Sequence, residues 1–157
     1  MKKDSATGQL KWDIRVTQEL MTFYNSLKPR GPYFYKLKLA DAEQCVSILA
    51  NAYGVTTPKV VVNNSGVKRI RARAFYNKPR HTINMCTMNH IKTIFHEFYH
   101  HLEEVTNGIY RSGTANKYEH RFSHEFADII YDDLRKKIKD AEKTKPKAKV
   151  ISAITVA

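Results

Sequence analysis

The chain has 157 residues, enough for one domain with a single core but not for two, and its 42% of hydrophobic residues excludes extended disorder across the main body. A formal net charge of +12 favours polyanionic partners such as nucleic acid, acidic protein segments or anionic membrane surface, without choosing among them. No apolar run approaches the length that crosses a bilayer, and Met1-Lys2-Lys3-Asp4-Ser5 leads into polar sequence rather than a signal-peptide core, so a cytoplasmic protein without membrane insertion is expected.

The first helix is expected between Trp12 and Leu27, where Ile14, Val16, Leu20, Met21, Phe23 and Tyr24 fall at mostly helical spacing before Lys28-Pro29-Arg30-Gly31-Pro32 stops it. A second spans about Ala40 to Tyr53, with Cys45, Val46, Leu49 and Tyr53 on its inner face and Gly54 ending it. Cys45 and Cys86 show no pairing pattern and read as reduced thiols without a metal role.

Three short strands are expected next, Lys59 to Asn63, Val67 to Tyr76 and His81 to Met85, joined by turns at Asn63-Asn64-Ser65-Gly66 and Asn77-Lys78-Pro79-Arg80 into an antiparallel meander. In the middle strand Arg69, Arg71 and Arg73 alternate with Ile70, Ala72 and Ala74, which predicts one basic sheet face. Between Gln44 and His96 there is no acidic residue at all. That face and a lysine-rich tail are the candidate contacts for nucleic acid.

A helix follows from about Asn89 to Thr106, burying Ile91, Ile94, Phe95, Phe98 and Leu102 and ending at Asn107-Gly108. It contains His96-Glu97-Phe98-Tyr99-His100. Histidines at i and i+4 share one helical face, so both imidazoles reach one zinc ion, and Glu97 is placed to hold and deprotonate the zinc-bound water. His101, one position further on, reads as a surface residue. Tyr110 and Tyr118 are nearby hydroxyls of a kind that stabilises an oxyanion. Ala74-Phe75-Tyr76 suits an edge strand able to pair with an extended substrate.

The last long helix is expected from about Tyr118 to Asp140, and a catalytic zinc needs a third protein ligand that its first turns can supply. The candidates are Glu119, His120, His124 and Glu125. The apolar stripe Phe122, Phe126, Ile129, Ile130 and Leu134 sets the phase: stepping back one turn from Phe122 and Ser123 reaches Glu119. Glu125 joins Arg121, Asp128, Asp132 and Arg135 on what reads as the solvated face, while His120 and His124 stay open as alternatives.

Eighteen residues separate His100 from Glu119. An HExxH helix followed at that interval by a glutamate on a second helix resembles the gluzincin metallopeptidases, with the minigluzincin and ImmA/IrrE-like groups nearest in size. Position 123 is Ser where the larger gluzincins often carry Asp, and the ImmA/IrrE pattern is echoed only by Glu119, Ser123, Phe126 and Ala127. A third histidine, as in SprT-like proteases, would point to His120 or His124.

The resemblance implies zinc-dependent hydrolysis of protein or peptide substrates, with His96, His100 and Glu119 as ligands and Glu97 as the catalytic base. The expected fold is α+β: N-terminal helices, a three-stranded antiparallel sheet, the HExxH helix and a C-terminal helix carrying the third ligand. Residues 1–142 would form the domain and 143–157 a flexible basic tail. The rival reading is a basic, nucleic-acid-associated binding protein with a structural or vestigial zinc site; a protease acting on DNA-bound proteins would combine the two.

Overall fold

The computed structural model describes residues 14–27, 37–69, 73–87, 89–106 and 119–156, with the side chains of 119–121 and of 144 onward outside that description. Helix α1 spans Gln18–Leu27 and buries Leu20, Phe23, Tyr24 and Leu27, one face at helical spacing. It starts later than Trp12 because Thr17 caps it, its Oγ1 accepting the Leu20 N–H at 3.2 Å. Helix α2 spans Leu39–Tyr53 and opens with the Asp41 carboxylate accepting the Lys38 N–H at 3.0 Å. Gly54, at φ 67°, ends it in the left-handed conformation. The Val55 N–H then returns to the Ala50 carbonyl at 3.0 Å, the Schellman closure that glycine permits.

The sheet departs from the expected meander. Strand β1 is Lys59–Val62, β2 is Ala74–Asn77 and β3 is Thr82–Met85, in spatial order β1-β3-β2. β2 and β3 form the expected antiparallel hairpin, Ala74 opposite Met85, but β1 runs parallel to β3, Lys59 opposite Thr82. The sheet is therefore mixed rather than antiparallel. The cause lies at Asn63, where a tight turn was expected. Asn63 instead caps a short helix, α3, Asn64–Arg69, its Oδ1 accepting the Gly66 N–H at 3.0 Å. Gly66 leaves room for that cap: a Cβ there would stand 2.5 Å from the Asn63 amide nitrogen. The chain thus leaves the sheet after β1, and the strand expected over Val67–Tyr76 reduces to Ala74–Asn77. The arginine stripe does not form, because Arg69 lies on α3; Arg71 falls outside the described residues.

Helix α4 spans Ile91–Thr106 and packs against α2, β2 and the final helix α5, Glu119–Val156. The last helix therefore continues past Asp140. Its inner face is Phe122, Phe126, Ile130, Leu134 and Ile138, with Ser123 and Ala127 beside them; Ile129 is only half-buried. Tyr53 of α2, Phe98 and Tyr99 of α4 and Phe126 of α5 form the aromatic centre, with Tyr99 and Phe126 centroids 5.0 Å apart and Tyr53 to Phe126 6.2 Å. No described helix is long and apolar enough to cross a membrane.

His101 is fully buried, not a surface residue. Its Nε2 lies 2.8 Å from the Thr56 carbonyl, which only accepts, so Nε2 carries the proton and Nδ1 accepts from the Tyr76 hydroxyl at 2.9 Å. This side chain ties α4 to β2 and to the segment entering β1. Burial lowers its pKa, chiefly by desolvation, and holds it neutral.

His90 caps α4: its Nδ1 accepts the Lys92 N–H at 3.0 Å, and its pKa is lowered by desolvation and then by the Lys92 and Arg73 charges. The native state therefore binds fewer protons there than the unfolded state, and its contribution is complete above the unfolded value of about 6.5 and lost as pH falls below it. We expect His90→Asn, which keeps a capping acceptor without titrating, to hold its urea midpoint better than wild type on acidification below about pH 6.5. Parallel midpoint-against-pH curves for the two proteins would contradict that role.

Candidate metal centre

α4 is amphipathic but buried along most of its length, its polar residues Glu97, His100, His101 and Glu103 included. His96 and Glu97 line a cleft of about 420 Å³ on the side facing α5 and the start of β2, and His100 stands one turn after His96. Their potential ligand atoms all lie within 4.8 Å of one another, and Glu97 and His100 are buried. The Nε2 atoms of His96 and His100 are 3.3 Å apart. Two nitrogens bound to one tetrahedral zinc at about 2.0–2.1 Å stand about 3.3 Å apart, so the pair fits a metal ion without moving. Without an ion, the same contact serves as a hydrogen bond between one protonated and one bare nitrogen.

Glu97 Oε2 lies 3.8 Å from His96 Nε2, too far for a direct hydrogen bond and near enough for one water between them. Burial pushes the Glu97 carboxyl up to about 8. In that environment the neutral form dominates at neutral pH until a cation beside it favours the charged one. The site is thus a carboxyl whose proton affinity depends on what the two histidines hold.

α5 closes the other side. The Ser123 hydroxyl lies 3.3 Å from His96 Nε2, and the His124 ring packs on the His96 ring at a centroid distance of 4.5 Å. His124 is exposed and is not part of the cluster of mutually close ligand atoms; neither is Glu125. Glu119 opens α5, four residues and so one turn before Ser123; its side chain and that of His120 lie outside the described residues, as do Tyr110 and Tyr118 entirely.

Three charged residues of the cleft lie outside the motif. Lys92 stands one turn before His96, and the i, i+4 run of Lys92, His96 and His100 made its place legible. Asp128, assigned to the solvated face, lines the cleft and pairs with Lys92 at 2.6 Å. Arg73, expected from strand alternation on a basic sheet face, instead lines the cleft from the residue preceding β2. Comparison of the chain with protein-family models, with curated proteins and with solved structures returned no match.

The geometry predicts that the purified protein takes up about one zinc per chain. His96→Ala and His100→Ala should each abolish uptake, whereas His124→Ala should retain it. Elemental analysis at matched protein concentration reads all three, and full zinc content in His96→Ala would remove the site.

Proposed function

We propose that the protein is a compact zinc metallopeptidase in which His96, His100 and Glu119 hold the ion and Glu97 is the general base. The observation that carries the reading is the buried carboxyl of Glu97 beside two imidazole nitrogens at metal-sharing distance. Support for Glu119 comes from helical phase, one turn before a serine whose hydroxyl touches His96. When bound, zinc supplies Lewis acidity, lowering the pKa of water and polarising a carbonyl.

The protein's own groups do the rest. Glu97 takes a proton from the attacking water and returns it to the nitrogen of the leaving amine, a transfer that a carboxyl with raised proton affinity performs well near neutral pH. β2 is an edge strand, and its first residue, Ala74, lines the cleft, so an extended peptide laid along β2 would pass the histidine pair. The resemblance to the minimal gluzincins agrees with this order of elements, and the absence of disulfide-paired cysteines among the described residues agrees with a reducing compartment such as the cytoplasm.

The nucleic-acid reading receives less support. Among the described residues its arginine sheet face does not form, since Arg69 lies on α3, and among the exposed lysines of α5, Lys137 and Lys143 are accompanied by Asp133 and Asp140 at 3.8 and 4.0 Å.

Glu97→Gln is expected to keep zinc and lower peptide hydrolysis by about 10²- to 10⁴-fold. Undiminished hydrolysis in that variant would falsify the assignment of Glu97. Glu119→Ala should lose most of the bound zinc while the aromatic centre stays folded; unchanged metal content would return the third position to His120.

A further inference from the structure

Around the cleft, the charges are unevenly matched. Arg73 and Lys92 line it together with His96 and Glu97. Lys92 is matched by Asp128 at 2.6 Å, whereas no carboxylate among the described residues pairs with Arg73. The surrounding stretch of chain supplies none, since Gln44 to His96 has no acidic residue; of the two carboxyl groups lining the cleft, Asp128 is paired with Lys92 and Glu97 is buried. The backbone of Arg73 is also fixed in place. Its carbonyl accepts the Cys86 N–H at 3.2 Å and faces the Asn89 amide at 3.5 Å, and Asn89 is itself buried and bridged to Leu37 through two backbone hydrogen bonds. An exposed guanidinium carried by that backbone at the entry of the edge strand, lining the same cleft as the candidate base, offers a planar fork of donors suited to a carboxylate.

We propose that Arg73 makes this cleft selective for peptides that carry a carboxylate beside the bond lying at Glu97. The inference rests on the peptidase reading for the identity of the ligand as a peptide. The carboxylate has two sources, an acidic side chain or the peptide's own C-terminus, and both would meet the guanidinium in the same way. Lys92, already paired with Asp128, does not supply this contact. Arg73 is then a specificity residue and takes no part in moving protons.

The test uses zinc-loaded Glu97→Gln protein and fluorescein-labelled octapeptides of one sequence, differing only in an internal Glu or Gln and in a free or amidated C-terminus. Binding is read by fluorescence anisotropy at physiological salt, where non-specific attraction to a basic protein is screened. The amidated Glu peptide and the free-carboxyl Gln peptide separate the two sources. At least one of them should bind about fivefold tighter than the amidated Gln peptide, the scale of an exposed but well-oriented ion pair.

Adding Arg73→Glu should abolish that preference or reverse it towards a Lys-containing octapeptide. Arg73→Gln, a milder change, should abolish it without reversal, and Lys137→Ala on α5 should leave it intact. A preference that survives Arg73→Glu, or equal or absent binding of all peptides, overturns the proposal. Cleavage of the same peptides by the wild-type protein is scored separately. Its absence counts against the peptidase reading, while the binding preference alone decides the role of Arg73.

Discussion

The packing of α4 on α5 is the contact on which the rest of the structure depends. Phe98 and Tyr99 of α4 meet Phe126 of α5 and Tyr53 of α2, so one aromatic cluster sets the separation of three helices. The histidine pair projects from the edge of this contact rather than from a loop. Its geometry is therefore inherited from close-packed side chains, which tolerate little displacement. Ser123 and Ala127 matter for the same reason. A small residue at each point lets α5 approach His96 and Glu97 closely, and Ser123 is completely buried there.

The helices were legible in the sequence because their signals are local. Gly54, the apolar spacing of α2 and α4, and the Phe122-Phe126-Ile130-Leu134 repeat each specify a face or an end without reference to distant residues. The sheet was not, because Asn-Asn-Ser-Gly after a strand is equally good chemistry for a turn and for a helix cap. Only the pairing of β1 with β3, distant in sequence, decides between them. His101 illustrates a different loss. Its position follows Ile94 and Phe98 at seven and three residues and belongs to the buried stripe, but a polar identity next to the metal motif argued for solvent. Histidine with both nitrogens satisfied is as good a core residue as tyrosine.

Charge and burial divide the labour around the cleft. The interior wall carries a carboxyl made reluctant to ionise, and the rim carries cations, one matched and one not. Such an arrangement keeps the site from collapsing into an internal ion pair: Lys92 is engaged by Asp128, so it is not drawn inward onto Glu97. The motif residues state what chemistry is available, and the rim states which ligands approach it. Spacing showed the first of these, but not that Arg73, Lys92 and Asp128, from three separate segments, would meet at one cleft.

The mixed sheet also bears on how the chain reaches its structure. The β2–β3 hairpin closes over the four residues between Asn77 and Thr82, whereas β1 meets β3 across the nineteen between Val62 and Thr82. Loop entropy alone separates these two closures by about 1.4 kcal/mol. For β3, the strand with both neighbours, loop closure therefore favours the hairpin partner over the parallel one. The histidine pair lies on the helix that immediately follows β3, so the part of the sheet next to the site is the one that closes over the shorter loop, and β1 is joined to it across the longer one.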